Sequence, residues 1–297
     1  MKVIHLGNQA NVAATLVEAL NRIEGVDAKC YNVKGYHHQG FGGTIYQPVL
    51  CSSTAGVEWF NMINEISSEL MSADIIHVHA SYLTASHLRG LCCDNIVLHF
   101  HGSEIRNKYS GPLVLGVEAA DLVLYSTKDL EKSVKRYRYK SKPMWLPNPV
   151  DKRVFKPIKP YCDNRKHCVL YFRTVTEPLG ASNRMVSLIE EKLGVPVEII
   201  IREENWVPYD EMSELLNKYE YFLNDLSGDA ELSYTSLQML ATGGKAITTS
   251  IDMIKDGEFN VISEFDETHD ADTIAKVLHE EYKKIIEKND RRKTQSK

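Results

Sequence analysis

The sequence predicts an α/β protein made of two Rossmann-like halves, each built on a parallel sheet. Three observations predict it. Short apolar runs alternate with helix-period segments from the first residue almost to the last, the pattern of βαβ units whose sheet is covered on both faces. A proline-rich stretch from Met144 to Pro157 interrupts that rhythm once. Beyond it the rhythm resumes.

Taken in order, Val3–Leu6 reads as a strand and Gly7-Asn8-Gln9 as the turn into a helix carrying Val12, Leu16, Val17 and Leu20. Val26–Tyr31 is a second strand, followed by a Gly- and His-rich loop over residues 35–43. A helix over Val57–Met71, a strand at Asp74–His79, a helix over Tyr82–Leu91 and a strand at Asn95–His101 come next. Asp121–Tyr125 is a further strand, with Ser126 and Thr127 placed to cap the following helix. Met144, Trp145 and Leu146 form the last buried strand of this half. Pro147 and Pro149 stop it, because each fixes φ and removes a ladder donor.

In the second half, His167–Arg173 reads as a strand and Ser182–Leu193 as a helix. Val197–Ile201 is apolar enough for a strand buried on both faces. Tyr209–Lys218 is a helix, Tyr221–Asn224 a strand, Tyr234–Ala241 a helix stopped by Gly243-Gly244, and Ala246–Thr249 a strand. A last helix over Asp272–Glu287 precedes a polar, frayed tail. The expected domains are residues 1–157, residues 158–275, and a C-terminal helix and tail over 276–297.

Composition narrows the function. At 297 residues the chain has room for two domains, and 43% hydrophobic with 25% charged residues is that of a globular protein. A net charge of −5 argues against a nucleic-acid binder. No apolar run approaches the ~20 residues that span a bilayer, and the N-terminus enters a strand without a signal peptide, so a cytoplasmic location is expected. The cysteines form no C-x-x-C pair and read as unlinked thiols.

Ligands of such sheets bind beyond the carboxyl ends of the strands. Gly7, Asn8 and Gln9 lie there, where small residues let backbone N–H groups face an anion. They do not form a dinucleotide fingerprint. His77 and His79 share one strand face, as do His99 and His101. Four imidazoles can hold a divalent metal, but no acidic ligands stand at metal spacing and both pairs sit in apolar runs, so no metal is expected. The cluster Lys132, Lys135, Arg136, Arg138, Lys140 and Lys142, interleaved with Tyr137 and Tyr139, reads as a solvated face. Its alternative use is a peripheral contact with anionic lipid or a phosphorylated acceptor.

Four phrases carry a family resemblance. Leu146-Pro147-Asn148-Pro149-Val150-Asp151, with Phe155-Lys156-Pro157, resembles the interdomain connector of family 4-like glycosyltransferases of GT-B fold. His101-Gly102-Ser103-Glu104 resembles their His-Gly-acid loop, and Asp121 to Thr127 their next segment. Ser236 to Ile247 resembles the stretch whose Glu binds the nucleotide ribose. Two departures stand beside these matches. Gln238 occupies the ribose-binding Glu position, and the Lys expected after Arg173 is replaced by Glu177-Pro178-Leu179-Gly180.

The resemblance implies two parallel sheets facing across a cleft and a retaining, metal-independent hexosyl transfer from a nucleoside-diphosphate sugar to a hydroxyl acceptor, with no further cofactor. It places His101 beside the reacting sugar, Arg173 on the diphosphate with Arg184 as substitute for the missing Lys, and Glu231, close to the first position of the E-x7-E pair, as the catalytic carboxylate. Gly7, Asn8, Gln9 and Gly102 would line the donor, Arg202 and Glu203 would lie at the base, and Gln238 at the ribose. The alternative is a GT-B relative that has lost catalysis and only binds a ligand or partner.

Overall fold

A computed structural model describes residues 1–33, 44–46, 55–102, 104–106, 108–173, 179–201, 204–205, 207–224 and 232–295. The chain forms two compact units. One comprises Met1–Pro149 with Ala271–Lys297, the other Val150–Asp270.

The first unit runs β1 (Lys2–Leu6), α1 (Val12–Leu20), β2 (Asp27–Val33), β3 (Thr44–Tyr46), α2 (Ala55–Glu65), α3 (Ser67–Met71), β4 (Ile75–His79), α4 (Tyr82–Gly90), β5 (Ile96–Phe100), α5 (Gly111–Ala119), β6 (Leu122–Tyr125), α6 (Glu131–Val134) and β7 (Met144–Trp145). Its sheet has the order β3-β2-β1-β4-β5-β6-β7, all parallel. Alternation along each strand sorts the side chains. Ile4, Ile76, Leu98 and Val123 face helices α2 to α5, whereas Val3, Ile75, Val97 and Leu124 face α1. Asp121 ties the start of β6 to its neighbour, because its carboxylate accepts from the Ile96 N–H at 3.0 Å and pairs with Arg89 at 2.5 Å.

The second unit runs β8 (Lys166–Arg173), α7 (Leu179–Leu193), β9 (Val197–Ile201), α8 (Tyr209–Asn217), β10 (Tyr219–Leu223), α9 (Tyr234–Ala241), β11 (Lys245–Thr248), α10 (Ile251–Lys255) and β12 (Asn260–Ile262). Its sheet has the order β12-β11-β10-β8-β9, parallel except for β12. Leu170, Phe172 and Phe222 pack with α8 and α9, while Val169, Tyr171 and Ile247 pack with α7 and α10.

The last helix, α11 (Ala271–Gln295), belongs to the first unit. Ala271, Ile274, Ala275, Leu278, Tyr282 and Ile285 make one buried stripe against α1 and the sheet, the three-and-four spacing of an amphipathic helix. Full burial of an Ile or Leu side chain stabilises by about 1.5–3 kcal/mol.

Several sequence expectations shift. The units part after Pro149, not after Pro157, because Val150 and Phe155 are fully buried in the second unit's core. The polar tail is helical to Gln295, held by Arg291–Glu287 and Lys293–Asp94 pairs. β9 is an edge strand with Glu198 and Ile199 exposed, not a doubly covered one. β7 is likewise a half-buried edge. The expected helix over Val57–Met71 breaks at Ile66 into α2 and α3. Helix α5 went unread because Gly111, Pro112 and Gly116 look like breakers. Pro112 sits in the first turn, where its missing N–H costs little. Gly116 is needed as glycine, since a Cβ there would lie 2.4 Å from the Tyr82 carbonyl oxygen. The Gly- and His-rich loop over 35–43 lies outside the described residues.

Candidate functional site

In the first unit the strand order reverses between β1 and β4, the switch point where parallel sheets take ligands. The turns leaving these strands are unusual. Gly7 has φ +88°, and a Cβ on it would lie 3.2 Å from the His79 carbonyl oxygen. Ala10, Asn11 and Ala80 also have positive φ, at 49°, 63° and 60°, a conformation costly for residues with a Cβ. Helix α1 opens at Val12, later than the sequence predicts, and the Asn8 Oδ1 accepts from the Ala14 N–H at 3.0 Å. Asn8 Nδ2 donates to Asn11 Oδ1 at 3.0 Å. This turn is therefore wound on its own amide side chain, and Gly7, Asn8 and Gln9 form its first three positions. The side chain of Gln9 lies outside the described residues.

On the face toward α1 and α11, the strands present a run of histidines. His5 stands opposite His77, and His79 opposite His99. His101 follows β5. The rings touch in a chain of hydrogen bonds. His77 Nδ1 lies 2.6 Å from the Tyr282 hydroxyl, which is 3.4 Å from His5 Nε2. His5 Nδ1 is 2.9 Å from His79 Nε2, and His79 Nδ1 is 3.0 Å from His101 Nε2. Ser126 Oγ closes the run at 2.8 Å from His101 Nδ1 and 3.0 Å from His99 Nε2.

Burial governs the charge of this array. His5, His77 and His99 are fully buried and His79 nearly so, while His101 is partly exposed. Desolvation pushes His5 down to about 3 and His101 down to about 4, the latter against a weak opposing pull from Glu104. His77, His79 and His99 fall well below the ordinary imidazole value, first through burial and then through neighbouring imidazoles. All five are neutral at pH 7. Each then carries one N–H, so the run can be satisfied in either direction. Either polarity leaves His77 Nε2 and His99 Nδ1 without a partner among the described residues.

Sequence reasoning picked out four of these histidines but set them in apolar company, where the structure gives them one another. It passed over His5, Ser126 and Tyr282 as members. His5 follows Val3 by the strand period of two, and Tyr282 lies on the apolar stripe of α11, so both were visible as positions but not as partners. Ser126 and Thr127 do not cap the next helix through their side chains. Ser126 faces the imidazoles instead. Gly102 follows His101, whose backbone N–H donates to a Glu104 carboxylate oxygen. The basic cluster is the solvated face expected, with Lys132, Lys135, Arg136, Arg138 and Lys142 exposed, and its anchoring comes from two members. Tyr137 is buried with its hydroxyl donating to the Lys108 carbonyl at 2.7 Å, and Lys140 reaches the Ala119 carbonyl and Asp121.

In the second unit the order reverses between β8 and β10. Arg173 ends β8, partly exposed. Asn224 follows β10, buried, and its Oδ1 accepts from the Ser233 N–H at 3.0 Å and the Ser236 hydroxyl at 2.9 Å. Ser233 caps α9, accepting from the Ser236 N–H at 3.2 Å. Gln238 is buried one turn further along α9, and Arg184 is exposed on α7. Glu231, Arg202 and Glu203 lie outside the described residues.

No protein-family model and no curated protein sequence matches the chain. Solved structures do. UDP-GlcNAc 2-epimerase from Neisseria meningitidis, bound to UDP-GlcNAc, superposes with a TM-score of 0.57 at 11% identity over 94% of this chain and 99% of that one. Sucrose-phosphate synthase from Thermosynechococcus elongatus gives 0.53 at 13% identity over 83% of this chain and 80% of that one. HepE from Anabaena, in complex with UDP, gives 0.52 at 10% identity over 99% and 100%. At such identities the likeness is one of fold, the GT-B arrangement of two parallel-sheet α/β units. No described helix is long and apolar enough to cross a membrane.

Proposed function

We propose that this chain is a glycosyltransferase that takes a uridine-diphosphate sugar as donor and a hydroxyl group as acceptor. The observation that carries the reading is the likeness in fold, over most of both chains, to proteins crystallised with UDP or a UDP-sugar. The strand-end residues of the second unit supply the donor chemistry. When the bond between the anomeric carbon and the diphosphate breaks, the electron pair leaves with the phosphate oxygen. A cation fixed there stabilises the charge as it grows. Arg173 takes that role, with Arg184 in place of the absent Lys. Gln238 hydrogen-bonds the ribose diol without charge, and Arg202 and Glu203 serve the base. In the first unit, His101 and Gly102 with Gly7, Asn8 and Gln9 serve the reacting sugar, while Glu231, from the second unit's stretch of the chain, acts as the carboxylate of a retaining transfer. The chemistry calls for no metal. The family 4 relationship, the hexosyl class, a cytoplasmic location and peripheral membrane contact belong to the same proposal.

The missing Lys and the Gln at 238 favour one second reading, a GT-B protein that binds nucleotide without turnover. Thermal unfolding with UDP, GDP and ADP, in EDTA, separates the cases. A ligand at a hundred times its Kd stabilises by about 2.7 kcal/mol. UDP is expected to raise Tm, and Arg173→Ala to weaken UDP at least tenfold, the worth of one charge-assisted contact. Mass spectrometry and NMR of a UDP-sugar incubated with acceptors then tell transfer from binding alone or from epimerisation of the donor. Absence of any nucleotide shift sinks the proposal.

A further inference from the structure

We propose that His79, His99 and His101 form a binding site for one divalent transition-metal ion, with Zn²⁺ the expected occupant. The proposal stands apart from the glycosyl-transfer reading and needs none of its residues in the second unit. One nitrogen from each of the three rings lies within 4.8 Å of the others. Two of the three sites already face each other, His79 Nδ1 and His101 Nε2 at 3.0 Å. Tetrahedral Zn²⁺ with imidazole at about 2.0–2.1 Å sets its ligand nitrogens about 3.3 Å apart. That pair has to open by a few tenths of an ångström, and both rings have to turn so that their lone pairs converge on the ion instead of on each other.

The remaining nitrogens support the assignment. With the ion on His79 Nδ1, His101 Nε2 and His99 Nδ1, every ligand ring keeps its present outer partner. His79 Nε2 stays on His5 at 2.9 Å, and His101 Nδ1 and His99 Nε2 both stay on Ser126 Oγ at 2.8 and 3.0 Å. Such outer contacts fix the tautomer of a ligating imidazole. Ser126 has two lone pairs and accepts from both rings at once. His99 Nδ1, buried and without a partner among the described residues, gains one. The ligands are neutral imidazoles before and after, so loading releases no proton from them. An all-imidazole set suits the later first-row ions over Mg²⁺ or Ca²⁺.

A second triad, His5, His77 and His79, has the same spread. It is buried throughout, whereas His101 is partly exposed and gives the outer triad access from solvent. An ion on His101 Nε2 takes the nitrogen that now faces His79 Nδ1, so a loaded triad excludes the role proposed above for His101.

The test uses the full chain without an affinity tag, stripped with chelator and titrated with Zn²⁺ and Co²⁺. One equivalent of zinc surviving desalting, a visible Co²⁺ absorption band and a rise in Tm with Zn²⁺ are expected. His101→Gln should weaken zinc at least tenfold, while His77→Gln should leave it within a factor of two. A wild-type chain that retains less than a tenth of an equivalent and shows no cobalt band overturns the proposal. So does the reverse order of the two variants, which would put the ion in the inner triad. Should His101→Gln not fold, the cobalt band and zinc-dependent Tm of the wild type decide alone.

Discussion

Tyr282 is the residue on which the histidine run most depends from outside the sheet. Its hydroxyl meets His77 Nδ1 at 2.6 Å and His5 Nε2 at 3.4 Å. Tyr282→Phe keeps the ring in the α11 stripe but strips both nitrogens of their partner. An unsatisfied buried group costs about 1–3 kcal/mol, so urea unfolding at pH 7.5 should show a loss in that range with the slope unchanged. The imidazoles also set a pH response. In the unfolded chain each titrates near 6.5, while in the fold His5 lies at about 3 and His101 at about 4. Between those values the unfolded state binds more protons, so stability rises with pH there. It is complete above about pH 6.5 and is lost as pH falls toward 4, by about 1.4 kcal/mol per pH unit for each such histidine. Urea midpoints at pH 7.5, 6 and 5 check this, and a flat profile would mean that the rings are not shielded from water. Glu104 beside His101 is the carboxylate that softens the effect.

At the scale of elements, the close seat of α4 against α5 rests on Gly116. Gly116→Ala places a methyl 2.4 Å from the Tyr82 carbonyl oxygen and 2.6 Å from its Cβ. The helices must part, and overpacking of this kind costs about 1–3 kcal/mol. Thermal unfolding should show that loss, while a silent substitution would mean that α4 shifts freely. The same glycine explains part of what sequence reading could and could not reach. Strands announced themselves wherever Val, Ile and Leu ran together, as at Ile75–Val78 and Val169–Phe172. Helix α5 did not, because Gly111, Pro112 and Gly116 argue locally for a loop and are overruled by packing. Burial misled in the opposite way at β9, where Val197–Ile201 is apolar yet lies on a sheet edge. The strand ends themselves were legible, those at His101 and Arg173 among them. Which rings bond which was not, since the pairing of His5 with His79 depends on strand order and no local pattern encodes strand order.

For the whole molecule, the salient fact is that the second unit is inserted within the first. The chain enters it at Val150 and leaves it at Asp270, and the two ends lie side by side, with the Val150 N–H donating to the His269 carbonyl at 2.8 Å. Replacing residues 150–270 by a short Gly-Ser linker should therefore leave residues 1–149 and 271–297 able to fold as one unit. A cooperative urea transition with near-native circular dichroism is the expected result, and a non-cooperative collapse would show that the first unit depends on its insert. Truncation before Ala271 should be far more damaging, because it removes the stripe that packs with Val3 and Ile75 and carries Tyr282 to His77 and His5. The insertion also fixes an order of events on the ribosome. Every strand of the first sheet has been translated by Trp145, yet the helix that seals one of its faces begins at Ala271. At about 5–20 residues per second, the intervening segment takes roughly 6–25 s to synthesise. Throughout that interval the imidazole face of the first sheet has α1 against it but not α11, while the later-made unit is the first that can be completed.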